Sequence, residues 1–198
     1  MQRREALQLV AVLMGGTVIG AEAFLSGCKT PARKEGLFYD TDGAFLDEVG
    51  ETILPATPDS PGAKEARIGD FMKVIVTDCY IPRDQDIFTK GIQTLKDKGF
   101  LDMTPTQRHD LLVSLDKEAK DYDKAQWDKA PKGDTDPTVY KDPAADPPKH
   151  YFSMMKQLTL WGFFSSEPGA TKALRYVAVP GKYDGDLAYK KGDKAWAT

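Results

Sequence analysis

The sequence predicts a mostly α-helical, single-domain bundle with long irregular loops and an extended C-terminal tail. Three observations carry this expectation. Between residues 42 and 115 apolar side chains recur at intervals of three and four, the spacing that gathers them on one face of a helix. Helix punctuation brackets these runs: proline in a first turn, a capping box, glycine after a last turn. Finally, 198 residues with 41% hydrophobic and 29% charged side chains are the make-up of one ordinary globular domain. Such a chain is long enough to bury a core without disulfides or a structural metal.

Taken in order, Asp42 can cap a helix whose apolar face is Phe45, Val49 and Ile53, with Pro55 ending it. Residues 55–63 hold three prolines and a glycine and predict a rigid, irregular loop. Ile68, Phe71, Met72, Ile75, Val76 and Cys79 then form the stripe of a helix buried along one side. Pro82 opens a helix containing Ile87, Phe88, Ile92 and Leu95, which Gly99 stops. Thr104-Pro105-Thr106-Gln107 is a capping box with proline at the first helical position, followed by Leu111, Leu112 and Leu115 on one face. Residues 116–124 alternate in charge like an exposed helix face.

Residues 121–150 are polar, contain Pro131, Pro137, Pro143, Pro147 and Pro148, and predict a long loop or arm. From Tyr151 to Phe164 the chain is apolar around most of a helix circumference, which requires a central position in the bundle or a face against another protein. The tail from Val177 to Thr198 has Pro180-Gly181 and Asp184-Gly185 turns and reads as extended chain without a core of its own.

The first residues differ from the rest. Met1-Gln2-Arg3-Arg4 is a short positive region, residues 7–25 are mostly small and apolar, and Leu25-Ser26-Gly27-Cys28 closes the run as a lipobox. Residues 1–27 are therefore expected to be a lipoprotein signal peptide, Cys28 the lipidated N-terminus, and residues 28–41 a tether to a domain at 42–198. Three acyl chains anchor firmly where one is marginal. The expected location is the cell envelope, lipid-anchored and facing the periplasm. Arg3-Arg4 also resembles a twin-arginine export signal, although Gln2, Glu5 and Ala6 depart from its usual flanks. That route carries folded proteins, and since nothing in this chain looks built to hold a cofactor, the cargo would be a partner.

Little in the sequence suggests resident chemistry. Two cysteines and two histidines exclude zinc-finger, iron–sulfur and multi-haem sites built from this chain alone. With 27 basic against 30 acidic residues, nothing draws the chain to nucleic acid. No catalytic, cofactor-binding or metal residue is assigned. His109-Asp110 reads as a solvated helix face, since neighbours on a helix point about 100° apart. His150, at a loop end, has no metal-ligand spacing. Asp40-Thr41-Asp42-Gly43 begins like a calcium loop but places Ala44 and Phe45 where a ligand and a glycine are needed. Cys79 packs as a buried thiol or, outside the cytoplasm, forms an intersubunit disulfide.

Several stretches together resemble the gluconate 2-dehydrogenase subunit 3 family. They are Thr52-Ile53-Leu54-Pro55-Ala56-Thr57 with Pro61-Gly62-Ala63, then Asp78-Cys79-Tyr80, and above all residues 158–167, Leu-Thr-Leu-Trp-Gly-Phe-Phe-Ser-Ser-Glu. Gly169-Ala170, residues 173–176 and residues 179–185 follow, so the likeness runs from about Phe45 to Tyr189. The resemblance implies a noncatalytic small subunit of a membrane-associated dehydrogenase of sugars or polyols. It implies that FAD sits in a large subunit of the glucose-methanol-choline type, with electrons passing to a c-type cytochrome or another acceptor. The small subunit would support folding and export of the flavoprotein. Expected partner contacts are Trp161, Phe163, Phe164, Glu167, Tyr176, Pro180, Tyr183 and Cys79. A stand-alone envelope lipoprotein that binds a ligand is the alternative.

Overall fold

A computed structural model describes residues 36–130 and 142–197, apart from 180, 182–184 and 189. The expected signal peptide at residues 1–27 with Arg3 and Arg4, the expected lipidation site Cys28, and Pro180 and Tyr183 lie outside the described residues. Gly36 to Thr198 forms one compact unit. Among the described residues it contains five α-helices: α1 (Asp42–Ile53), α2 (Ile68–Cys79), α3 (Pro82–Asp97), α4 (Pro105–Lys129) and α5 (Tyr151–Ser165). Strand pairing among them is limited to two isolated bridges. The mostly α-helical bundle expected from the spacing is the fold.

Local signals explain most boundaries. Pro82 occupies the first turn of α3, where its missing N–H costs nothing. Gly99, at φ 68°, takes the left-handed conformation that ends α3, its N–H donating to the Lys96 carbonyl. At α4 the capping box is complete: Gln107 N–H donates to Thr104 Oγ1 at 3.3 Å, and Thr104 N–H to Gln107 Oε1 at 2.9 Å. Thr104→Ala is expected to cost about 1 kcal/mol, read as a lower urea midpoint at unchanged slope.

The structure corrects the sequence at three boundaries. Asp42 is the first residue of α1 and does not cap its own helix. Its Oδ2 accepts from Tyr39 N–H at 2.8 Å and its Oδ1 pairs with Lys96 Nζ at 2.5 Å, fastening α1 to α3. The segment expected to be tether up to residue 41 is already part of the fold at Leu37 and Phe38, which pack on the core, Phe38 meeting Phe88 edge-on. Residues 121–129 belong to α4 and not to an arm, and residues 131–141 of the expected arm lie outside the described residues. Nothing is buried on α4 beyond Ala119, so this projecting stretch has no apolar periodicity to read.

The core is built around α5, which touches all four other helices. That position explains why its sequence is apolar on so many sides. Phe88, Phe100, Phe152 and Phe163 are all sealed from solvent, each stabilising the fold by roughly 1.5–3 kcal/mol. Two glycines allow close helix crossings. At Gly69 of α2 an added Cβ would fall on the Gly43 carbonyl of α1, and at Gly91 of α3 it would strike the Tyr151 ring.

The irregular segments are held by named groups. Glu51 accepts from Ala56 N–H and Lys64 N–H, both at 2.9 Å, and so straps the proline loop with its two oxygens. Gln85 Nε2 donates to the Val76 and Thr77 carbonyls at 3.1 Å, serving the last turn of α2 from α3. After a π-type turn at Gly169–Ala173 the tail does not trail away. Arg175 N–H donates to Ala195 O at 2.7 Å, Ala197 N–H returns to Arg175 O at 3.0 Å, and the Arg175 guanidinium lies 4.1 Å from the Trp196 ring centre.

Candidate partner interface

Helix α5 carries two kinds of face. Its buried sides present Phe152, Met155, Leu158, Thr159, Gly162 and Phe163 to the bundle. Gln157, Leu160, Trp161 and Phe164, at i, i+3, i+4 and i+7, form a stripe that points outward. Trp161 is 54% exposed and Phe164 41%, so large apolar rings stand at the surface of a helix whose other faces are already covered. A scattered surface leucine needs no explanation, whereas adjoining aromatics on a rigid helix form the kind of patch that marks a contact site.

The stripe is held in position from beneath. Gly162, without a side chain, lets Phe71 and Ile68 of α2 approach; a Cβ there would meet Phe71 Cδ1 at 2.6 Å. Phe71 in turn packs edge-on to Trp161, ring centres 5.4 Å apart at 84°. Phe164 stands against the buried Phe163 ring at 5.1 Å and 77°. At the end of the helix, Ser166 Oγ donates to the Phe163 carbonyl at 2.6 Å and accepts from Gly169 N–H at 3.2 Å. The backbone after the stripe is thereby turned sharply away. These contacts hold the rings against the bundle, an arrangement that reduces the entropy cost of any contact made through them.

The expected contact residues divide clearly. Trp161, Phe164, Glu167 and Tyr176 are exposed. Phe163 is core, at 1% exposure, and packs beneath the exposed Phe164 ring without reaching the surface itself. Cys79 is the last residue of α2 and is exposed, because the helix stops before a further turn could cover it; the buried-thiol reading is overturned. Phe71 and Leu160 belong to the patch and were missing from the expected set. Leu160 is legible once Gln157, Trp161 and Phe164 are read as a second stripe, but Phe71 requires knowing which helix lies alongside.

The charged groups join elements together. Glu48 of α1 binds Lys64 and, at 3.1 Å, Arg108 Nη1 of α4; the Lys64 hydrogen bond holds its carboxyl below the usual range. Asp47 accepts from Gly69 N–H at 2.8 Å, covering the start of α2 from α1, and burial pushes its carboxyl up against the effect of that bond. Asp116 pairs with Lys120 and with Lys156 across α4 and α5, each at 2.6 Å, and is held low by them. Among the described residues no group of three or more His, Cys, Asp or Glu could hold a metal ion. Nor is any described helix long and apolar enough to cross a membrane. His109 is exposed beside Asp110 at 3.5 Å, the solvated face expected of it.

Neither a curated protein nor a solved structure matches the chain significantly. The family model described as gluconate 2-dehydrogenase subunit 3 matches residues 40–181, well over half of the chain and spanning all five helices and the outward stripe. The chain belongs to the gluconate 2-dehydrogenase subunit 3 family, whose members are small subunits of a dehydrogenase complex.

Proposed function

We propose that this chain is the noncatalytic, lipid-anchored small subunit of a periplasmic FAD-dependent dehydrogenase of sugars, glycosides or gluconate. Its work is to bind the native flavoprotein of glucose-methanol-choline type, to stabilise and accompany it during export, and to hold it at the membrane near its electron acceptor, such as a c-type cytochrome. Binding a folded partner and not its unfolded chain stabilises that partner by mass action. The observation that supports this reading is the rigid outward stripe of Leu160, Trp161 and Phe164, backed by Phe71. Its open position favours a protein contact over a ligand pocket closed within one chain. The lipobox ending in Cys28 and the Arg3-Arg4 pair supply the anchor and the address.

Co-expression with the product of the adjacent gene tests the reading. The purified complex is expected to show flavin absorbance and dye-linked oxidation of a sugar. Trp161→Ala with Phe164→Ala is expected to weaken capture by roughly 30-fold or more, the loss when a central aromatic anchor worth about 2 kcal/mol is truncated. A stable, monodisperse monomer that never retains a flavoprotein would sink the proposal.

A further inference from the structure

His150 stands where α5 begins, and its side chain does the work that serine or aspartate does at most helix starts. Nδ1 accepts a hydrogen bond from Phe152 N–H at 3.2 Å. An imidazole can do this only with a lone pair on Nδ1, so the ring is neutral and its proton resides on Nε2. The ring is 10% exposed and packed between two tyrosines: Tyr151 at 4.3 Å and 34°, and Tyr122 of α4 at 5.7 Å and 62°. Its main-chain N–H donates to Asp123 Oδ1 at 2.6 Å. Backbone, cap and ring therefore all converge where α5 starts against the second half of α4. Beyond Ala119 α4 buries no residue, and here, at Tyr122 and Asp123, it meets His150.

The groups around the ring are few and identifiable. From α4 come Glu118, whose Oε1 is 3.9 Å from Nε2, then Tyr122 and Asp123. From α5 comes Tyr151, whose ring lies over Gly91 of α3, and Lys149 precedes on the exposed loop. Burial pushes the imidazole below its ordinary value, against the opposing pull of Glu118 and Asp123.

We propose that His150 is an acid-sensitive latch between α4 and α5. One proton taken from solvent at Nδ1 removes the only lone pair that can cap Phe152 N–H and sets two donors against each other. It also places a full positive charge at the positive end of the α5 dipole. The cap opens, the imidazolium swings toward Glu118, and the first turn of α5 separates from Tyr122 and Asp123. The direction follows from linkage. With the folded value depressed, the unfolded chain binds the proton more readily. The cap's contribution is whole above the ordinary value of 6.5 and is lost as pH falls through the folded value.

The test uses the full chain in detergent micelles. His109 is the other histidine, so His109→Asn leaves a single imidazole. Adding His150→Asn keeps a good capping residue that does not titrate. Between about pH 7.5 and about pH 5 the single variant is expected to lose about 2–4 °C of melting temperature relative to the double variant. Amide exchange at residues 151–153 is expected to quicken about tenfold in the single variant alone. Parallel melting profiles in the two variants would overturn the latch. So would an imidazole resonance of the single variant titrating at or above 6.5, a measurement that stands even where the double variant does not fold.

Discussion

Gly69→Ala is expected to lower the stability of the domain by about 3 kcal/mol, the upper part of the range for an overpacked site, and its melting temperature by about 6–12 °C. The reason lies in what the new methyl would meet. Gly69 is in the first turn of α2, where the backbone of α1 passes so close that a Cβ would land on the Gly43 carbonyl oxygen. Backbone cannot rotate out of the way, so the helices must part. Parting them also stretches the bond from Gly69 N–H to Asp47 Oδ1. Across the same crossing, Gly43→Ala makes the control. Its Cβ would meet only Asp70 Oδ1 at 3.3 Å and Lys73 Cδ at 3.6 Å, both on side chains that can swing aside. Alanine is favoured over glycine within a helix by about 1 kcal/mol. Gly43→Ala is therefore expected to be neutral or mildly stabilising. Equal losses at the two glycines in urea melts would refute the account of the crossing.

The second large effect separates two neighbouring aromatics by role. Phe163→Ala is expected to cost about 3–5 kcal/mol, because a fully buried ring leaves a cavity that the surrounding helices only partly fill. Trp161→Ala, on an outward position, is expected to change stability by no more than about 1 kcal/mol, mostly through its edge contact with Phe71. The decisive comparison is urea unfolding of each variant alone. A Trp161→Ala loss comparable to that of Phe163→Ala would move Trp161 into the core and remove the basis for treating its stripe as a contact surface.

The contrast also shows what can be read from residues in a row. Pro82, Gly99 and the Thr104–Gln107 pair act on their own turns, so their meaning is local and legible. Asp42 has the right chemistry for a cap, but Lys96, far along the chain, and Tyr39 claim its two oxygens. Cys79 continues an apolar stripe by spacing alone, and only the helix end at that residue shows that nothing covers it. The helical stretch 121–129 gives no periodic signal, because periodicity records a buried apolar face, and this stretch meets the bundle only through half-exposed groups such as Tyr122 and Asp123 at His150. On α5 a step of one residue turns a side chain by about 100°, so the role of Trp161 or Phe163 depends on where α2 lies. The segment Leu158 to Glu167 is recognisable as important before its inner and outer residues can be told apart.

The central place of α5 imposes an order on the life of the chain. Synthesis delivers α1 to α4 first, at roughly 5–20 residues per second. Yet each of these helices packs on α5, which starts only at Tyr151. Until that last helix leaves the ribosome, the faces of α1 to α4 that it covers in the finished fold have no partner. The nascent protein thus carries an unfinished apolar trough until Tyr151–Ser165 has emerged, and closes it in a late step of its synthesis.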